Sequence, residues 1–335
     1  MKQARKYNLD ILRIIAALAV VLFHVLGSSA NNDPEVPQNI YSLATAFSSI
    51  LQWHVPVFFM ITGYLWLSDE KICTFKKMLP NIRRFVFVLF TFGLVYAIME
   101  RFFVTRTVSV ALLRASLQDV LNGNLWDHMW FVYAILGIYI VLPVFKPFFV
   151  TSSKETITVF SALLYLFTII FPILKSEIGY SVPIGFPIGK YMFYIFAGGL
   201  IAKWNPTQVK VAIISISLFL CSIFTVLFIK IRVCQYEGYI SLFSCISAVS
   251  LFIAVTVFMN DIPSISWIRK VSDCTFGIYL IHPLFINIML KLLHIYPLRY
   301  LPFLSITGTW IAIVGLSYIS TCFLRKISWI KKYLL

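Results

Sequence analysis

The chain has 335 residues, of which 60% are hydrophobic and only 12% are charged, and its mean hydropathy is +0.89. In soluble domains about a quarter of the residues are charged. The composition of this chain therefore excludes a soluble fold and indicates a polytopic membrane protein. The net charge of +15 is then better explained by basic cytoplasmic loops than by nucleic-acid binding. Apolar runs recur from end to end, so we expect a single membrane domain over residues 1–335.

Ten apolar segments approach the length of about 20 residues that a membrane-spanning helix needs. They lie at roughly 9–27, 44–67, 85–103, 129–147, 156–174, 190–203, 209–229, 240–258, 275–293 and 303–324. The predicted fold is therefore all-α, with about ten transmembrane helices. The sixth segment is short, contains Gly198 and Gly199, and follows a loop rich in Gly and Pro at 179–190. This pattern suggests a re-entrant or interrupted element.

The distribution of basic residues predicts the orientation. With the N-terminus inside, the cytoplasmic segments carry about twice as many Lys and Arg residues as the outer segments. An even number of spans then places both termini in the cytoplasm. A cleaved signal peptide is disfavoured, because Asp10 and Arg13 do not suit its apolar core.

The first span, "LDILRIIAALAVVLFH", contains Asp10, Arg13 and His24. An ionisable group in a span costs at least a few kcal/mol and usually faces a cavity or a partner. Helical geometry puts Arg13 and His24 on one face, about 16 Å apart along the axis. Asp10 could pair with Arg13 at the inner interface, and His24 could be a hydrogen-bonded interfacial residue. His24 is equally suited to transfer a proton near neutral pH, and its position alone leaves both interpretations open.

Further polar residues lie on later segments. The second span contains His54, and Pro56 is expected to kink it and open a cavity. The fourth begins "WDHMWF", with His128 and Trp130 at its outer edge, where tryptophan also fits an aromatic belt. The ninth, "FGIYLIHPLFIN", contains His282.

A basic segment, "KKMLPNIRRF", precedes the third span. Its charged residues are Lys76, Lys77, Arg83 and Arg84. They fit ordinary cytoplasmic positive charge, and the alternative is a docking point for a phosphorylated ligand. The six cysteines form no CxxC pair, so they indicate neither a zinc site nor a disulfide framework.

Four of these segments together resemble the acyltransferase-3 family of integral membrane acyltransferases. They are, in order, "LDILRIIAALAVVLFH", "VPVFFMITGYL", "HMWFVYAILGIYIVLP" and "SDCTFGIYLIHPL". The resemblance covers essentially the whole chain, and the branch it suggests is similar to the enterobacterial common antigen O-acetyltransferase. One departure is Thr62, which stands where the family has serine.

The resemblance implies a multi-pass enzyme of the bacterial cytoplasmic membrane. It would move an acetyl group from cytoplasmic acetyl-CoA to a hydroxyl of a surface polysaccharide or a lipid-linked glycan, without a metal. The implied catalytic residues are His24, Arg13 and Asp10. The implied CoA-binding residues are Arg83, Arg84, Lys77 and Lys76. For such an enzyme we expect acceptor binding at the outer end, where aromatic faces can stack on sugars; the candidate residues are His128, Trp130, His54 and His282.

Other functions fit some of the same features. Intramembrane charges and a broken span are also typical of transporters and flippases, although the sequence has no inverted repeat. A related family branch forms the membrane part of serine-racemase-type resistance proteins, which implies serine uptake. A purely structural membrane protein leaves the polar face of the first span unexplained. The sequence is compatible with a homo-oligomer and does not select a state.

Overall fold

A computed structural model describes residues 5–68, 73–179, 189–232, 237–260, 263 and 265–335. These residues form helices and no β-strand, which confirms the predicted all-α fold. The helices are α1 (Tyr7–Asn31), α2 (Gln38–Ser49), α3 (His54–Leu67), α4 (Phe75–Val88), α5 (Leu94–Thr105), α6 (Val110–Asn122), α7 (Trp130–Thr151), α8 (Lys154–Tyr165), α9 (Phe171–Ile178), α10 (Lys190–Trp204), α11 (Val209–Arg232), α12 (Glu237–Phe258), α13 (Ser266–Ser272), α14 (Thr275–Asn287), α15 (Pro302–Leu324) and α16 (Ser328–Tyr333). Three π-helical turns extend α4, α8 and α14, at Leu89–Gly93, Leu166–Ile170 and Ile288–Leu292.

In the described part of the chain, nine helical segments are long and apolar enough to cross a membrane. They are Tyr7–Asn31, Gln38–Leu67, Phe75–Thr105, Asp127–Thr151, Lys154–Lys175, Val209–Ile231, Ile240–Phe258, Thr275–Leu292 and Pro302–Leu324. Each of them matches one of the ten predicted spans, so a multi-pass membrane protein is confirmed.

The remaining predicted span corresponds to α10. Its 15 residues are fewer than the roughly 20 that a full crossing needs. The expected interruption at Gly198 and Gly199 is wrong, because α10 continues through both residues. Most of the preceding loop, at 180–188, lies outside the described residues. The prediction that both termini lie in the cytoplasm requires an even number of spans, with α10 as one of them. It stays a prediction.

The second predicted span is divided into α2 and α3 by a turn at 50–53. The break therefore comes before Pro56, which lies in the first turn of α3. A proline is tolerated there, because the first N–H groups of a helix have no intrahelical acceptor. This turn places His54 at the first position of α3.

The chain divides into two compact units. The first unit comprises Met1–Glu70 and Ser152–Ile319, and the second comprises Lys71–Thr151 and Ser320–Leu335. The single membrane domain expected over residues 1–335 stays a prediction.

Helix α1 occupies the centre of the first unit. It packs against α2, α3, α12, α13 and α14. In its most apolar 18-residue window 56% of the residues are buried inside the protein, compared with 17% for α15. The ionisable residues of α1 are therefore surrounded largely by protein, which lowers the cost of placing them in a span.

Two glycines allow α3 and α10 to approach each other closely. A Cβ atom at Gly63 would lie 1.9 Å from the backbone oxygen of Ile195, and one at Gly198 would lie 2.0 Å from that of Met60. Both distances are far below van der Waals contact. Small residues at such a crossing let two membrane helices pack backbone to backbone.

We expect Gly63→Ala and Gly198→Ala each to destabilise the protein by about 1–3 kcal/mol, because backbone atoms must move apart to admit the methyl group. The matched control is Gly308→Ala on α15, where a Cβ would meet nothing within 4 Å. Thermal unfolding of the three purified variants measures the difference. Equal midpoints for Gly63→Ala and Gly308→Ala would contradict the close crossing.

The second unit contains α4 packed on α7, α5 packed on α6, and α16 against α4. Helix α7 includes Pro143 and Pro147. Between them lies Lys146, which is only 4% exposed. Lysine is rarely buried, and the two neighbouring prolines mark this part of α7 as unusual.

Candidate active site

The carboxylate of Asp10 is fully buried near the start of α1. It accepts hydrogen bonds from Arg13 Nη1 at 2.7 Å, from Ser272 Oγ at 2.8 Å and from Arg5 Nε. The predicted pairing of Asp10 with Arg13 is therefore confirmed. Donors from three residues compensate for the loss of water around the charge, which is the condition for burying a carboxylate.

Arg5, which precedes α1, and Ser272, the last residue of α13, connect the start of α1 to the end of α13. Arg5 Nη2 also donates to Asp273 Oδ1 at 2.8 Å. Sequence reasoning did not assign these residues to the site. The sequence nevertheless pointed to them, because Ser272 and Asp273 are the first two residues of the fourth family-like motif and Arg5 lies just before the first span. The two motifs thus meet at Asp10.

Three histidines gather further along α1. The ring of His24 lies 5.2 Å from that of His282 on α14, measured between centroids. His54, on α3, lies 5.0 Å from the ring of Phe23 by the same measure and within electrostatic range of His24. His54 and His282 are buried, at 5% and 0% exposure, and His24 is half-buried. We call His24, His54 and His282 the histidine cluster.

Backbone carbonyls determine the neutral tautomer of two of these rings. His282 Nδ1 lies 3.1 Å from the carbonyl oxygen of Ile278, and His54 Nδ1 contacts that of Leu51. A carbonyl oxygen only accepts, so each Nδ1 must carry the proton. Each neutral ring therefore has its lone pair on Nε2.

Arg13 and the histidine cluster lie at two depths of one uninterrupted helix. The eleven residues from Arg13 to His24 correspond to about 16 Å of rise. Because α1 is continuous from Tyr7 to Asn31, the shared face predicted for the two residues is confirmed. Arg13 keeps 28% of its side chain exposed.

The predicted CoA-binding residues all lie on α4 of the second unit. Lys76, Lys77 and Arg83 are exposed, and Arg84 is half-buried. Arg84 Nε donates to the carbonyl oxygen of Leu334 at 3.3 Å. Arg84 therefore contributes to the packing of the chain's last residues, and the exposed charges of the segment belong to the other three.

Trp130 is the first residue of α7, and His128 lies in the short 3-10 turn Asp127–Met129 just before it, also in the second unit. His128 is 3% exposed, and its ring lies 5.6 Å from that of Tyr96. Trp126 stacks on Tyr96 with ring centroids 4.3 Å apart and donates from Nε1 to Glu100 Oε2 at 3.0 Å. Trp130 is 43% exposed. The buried His128 thus belongs to an aromatic cluster, and Trp130 offers an accessible ring.

An ion pair lies just beyond the C-terminal end of α1, in the first unit. Arg299 donates to both carboxylate oxygens of Asp33, with Nη2 2.8 Å from Oδ1, and its Nη1 lies 2.7 Å from Glu35 Oε2. Asp33 is buried, whereas the side chain of Glu35 is 71% exposed. The hydrogen bonds from Arg299 hold the pKa of the Asp33 carboxyl below its ordinary value.

We expect Asp33→Asn to lower stability at neutral pH by about 1.5–3 kcal/mol, the usual worth of hydrogen bonds to a charged group. Because folding lowers this pKa, the contribution is present above about pH 3.9 and is lost as the pH falls through the lower folded value. Thermal unfolding at pH 7 and at pH 3 measures it. Glu35→Gln is the exposed control, with an expected change below about 1 kcal/mol. A difference between wild type and Asp33→Asn that persists unchanged at pH 3 would contradict the assignment.

Comparison with known proteins identifies the family. A family model described as an acyltransferase domain, that of the acyltransferase-3 family, matches residues 6–322. The chain belongs to the acyltransferase-3 family. No curated protein and no solved structure matches it. The family resemblance seen in the four motifs is thereby confirmed, and the branch similar to the enterobacterial common antigen enzyme stays a prediction.

Membership makes this chain a membrane acyltransferase and gives the geometry a chemical context. Acyl transfer to an alcohol requires a base for the hydroxyl and stabilisation of the charge that develops on the carbonyl oxygen. A histidine side chain has the chemistry of such a base, and the positive charge of an arginine such as Arg13 suits an anionic group. Within the described ranges, no three His, Cys, Asp or Glu side chains are placed to hold a metal ion.

Proposed function

We propose that this acyltransferase-3 protein moves an acetyl group from cytoplasmic acetyl-CoA to a hydroxyl of a surface glycan or of its lipid-linked precursor. The observation that carries the proposal is the contact between His24 and His282 on the same helix face as Arg13. A half-buried histidine beside a fully buried one is suited to proton transfer in a site from which bulk water is largely excluded. We place the enzyme in the bacterial cytoplasmic membrane.

In the proposed reaction, His24 removes the proton from the acceptor hydroxyl. The hydroxyl oxygen attacks the thioester carbonyl carbon, and the carbon–sulfur bond then breaks. The CoA thiolate leaves with the electron pair and takes from the His24 imidazolium the proton that came from the acceptor, so that the products are an acetyl ester and CoA. A second route to the same products forms a transient acetyl-imidazole on His24, which the acceptor then attacks.

His282 is proposed to orient His24 and to contribute to acceptor binding. Its Nδ1 is held by the Ile278 carbonyl, so its position and tautomer are set independently of His24. His54 has the same type of anchor at Leu51. A ring with a defined tautomer in contact with His24 gives that proton acceptor a defined orientation, which a mobile histidine would lack.

Arg13 is proposed to act on the donor. The carboxylate of Asp10, one helical turn earlier on α1, orients the guanidinium of Arg13. A cationic planar group suits the phosphates or the amide groups of CoA. The exposed charges of Lys76, Lys77 and Arg83, with Arg84, are proposed to hold CoA phosphates. Trp130 and His128 are proposed to contact the acceptor sugar. The support for the first set is its positive charge and the exposure of three of its members. The support for the second is the exposed ring of Trp130 and the place of both residues in the motif HMWFVYAILGIYIVLP.

The test uses the full-length protein in proteoliposomes. Labelled acetyl-CoA should bind saturably, and CoA should be released when a lipid-linked oligosaccharide extract is added. If CoA did not bind and the liposomes instead accumulated substrate, serine included, then transport would replace transfer as the function. CoA release that does not depend on any glycan would contradict the proposed acceptor and leave the acyltransferase assignment intact.

A further inference from the structure

The segment between α14 and α15 forms an open cavity that no step above uses. Its volume is about 480 Å³, and its lining includes His294, Tyr296, Tyr300, Ser305 and Thr309. This volume lies within the range of about 300–1,000 Å³ that is typical of small-molecule sites. The cavity is therefore large enough for a ligand rather than for a few waters.

The wall of the cavity is firmly held. Arg299 binds Asp33 and Glu35, and its guanidinium lies 4.4 Å from the centroid of the Tyr296 ring. His294 and Leu301 bracket the segment with φ values of 51° and 44°. Residues other than glycine seldom adopt this left-handed conformation, and they keep it where the surroundings impose it. The segment is thus fixed by contacts at both ends and in its middle.

The lining chemistry favours a neutral ligand with many hydroxyl groups. Among the described lining residues, Arg299 alone has a permanent positive charge, and two carboxylates already neutralise it. A phosphate or sulfate group would therefore find little uncompensated charge. Tyr300 instead offers a ring face with a polar tip, and Ser305, Thr309 and His294 offer donors and acceptors. A sugar ring presents the matching surfaces, an apolar C–H face and a rim of hydroxyls.

The position of the cavity connects it to the histidine cluster. Asp33, which anchors Arg299, follows the last residue of α1 by two positions. His24 lies seven residues before that end, which corresponds to about 10 Å of helix. The cavity is thus at the end of α1 nearer to His24, and in the predicted topology this end faces outward, where a surface glycan would arrive.

We propose that this cavity binds a sugar unit of the glycan acceptor, a proposal that rests on the proposed function. Tyr300 stacks on the sugar ring, and His294, Ser305 and Thr309 bind its hydroxyls. The remaining part of the glycan then extends toward His24. The cavity would thereby select the acceptor at a position separate from the reacting hydroxyl.

Saturation-transfer NMR tests binding directly, without any acetyl donor. The full-length protein in nanodiscs is mixed with methyl glycosides of glucose, galactose, mannose, rhamnose and N-acetylglucosamine, and separately with glycerol 1-phosphate. At least one glycoside should give a signal that Tyr300→Ala and Thr309→Ala reduce at least fivefold. Phe303→Ala is the matched control, since Phe303 is 87% exposed and is not part of the lining; its signal should equal that of wild type.

Three outcomes would overturn the proposal: no signal from any glycoside, a signal that survives both lining variants, or a signal from glycerol 1-phosphate alone, which would indicate a lipid headgroup. Acetyl-CoA binding is measured on the same samples. If wild type binds CoA but no glycoside, only the proposal for the cavity is contradicted. If wild type does not bind CoA, the proposed function is contradicted.

Discussion

Replacing His24 by alanine is expected to lower acetyl transfer by about 10²–10⁴-fold, the usual contribution of a general base. The same variant should bind labelled acetyl-CoA as wild type does, because the proposed donor contacts lie at Arg13 and on α4. The measurement is the rate of CoA release in proteoliposomes, with acetyl-CoA binding measured in parallel. If His24 instead carries the acetyl group covalently, the loss should be at least as large.

The matched variant is His24→Gln, which keeps a polar side chain of similar length and lacks the capacity to take a proton near neutral pH. It should be as inactive as His24→Ala and should unfold at nearly the temperature of wild type. Full activity in a well-folded His24→Ala protein would falsify the catalytic assignment. His282→Gln provides a second comparison, since a positioning role predicts a smaller loss of rate than at His24.

Replacing Asp10 by alanine is expected to destabilise the protein by about 3–5 kcal/mol, the usual effect of removing one partner from a buried ion pair. The carboxylate has no exposed surface, and its removal leaves Arg5, Arg13 and Ser272 without their common acceptor. Thermal unfolding in detergent measures the loss. Because Arg13 would also lose its orientation, acetyl-CoA affinity should fall in the fraction that remains folded.

Asp119→Ala is the control for this effect. Asp119 also pairs with an arginine, Arg101, but both side chains are partly exposed, at 17% and 39%. Exposed pairs contribute about 0–1 kcal/mol, so this change should be small. The double variant Asp10→Ala/Arg13→Ala should recover part of the stability, since it also removes the arginine that pairs with Asp10, whereas Arg5 still pairs with Asp273. Equal destabilisation by Asp10→Ala and Asp119→Ala would contradict the structural role of Asp10.

Much of the fold was readable because a bilayer imposes simple rules. Spans must be apolar, long and helical, so nine of ten predicted spans match helices of sufficient length. The exception is the predicted span that corresponds to α10. The two glycines of α10 looked like an interruption, whereas Gly198 lies at a close crossing with α3. A glycine that breaks a helix and one that allows two helices to touch have the same local sequence signal, and only the neighbouring helix distinguishes them.

In the candidate site, too, the sequence determined some relations and the tertiary structure determined the others. Helical periodicity by itself determined that Asp10 and Arg13 are neighbours and that His24 shares their face, because those relations are internal to one helix. The partners contributed by other segments were decided by the tertiary structure alone: Ser272 and Arg5 at Asp10, His282 and His54 near His24, and Arg299 at Asp33. Such contacts join residues far apart in the chain, and their distances depend on how whole helices pack, which no local pattern encodes.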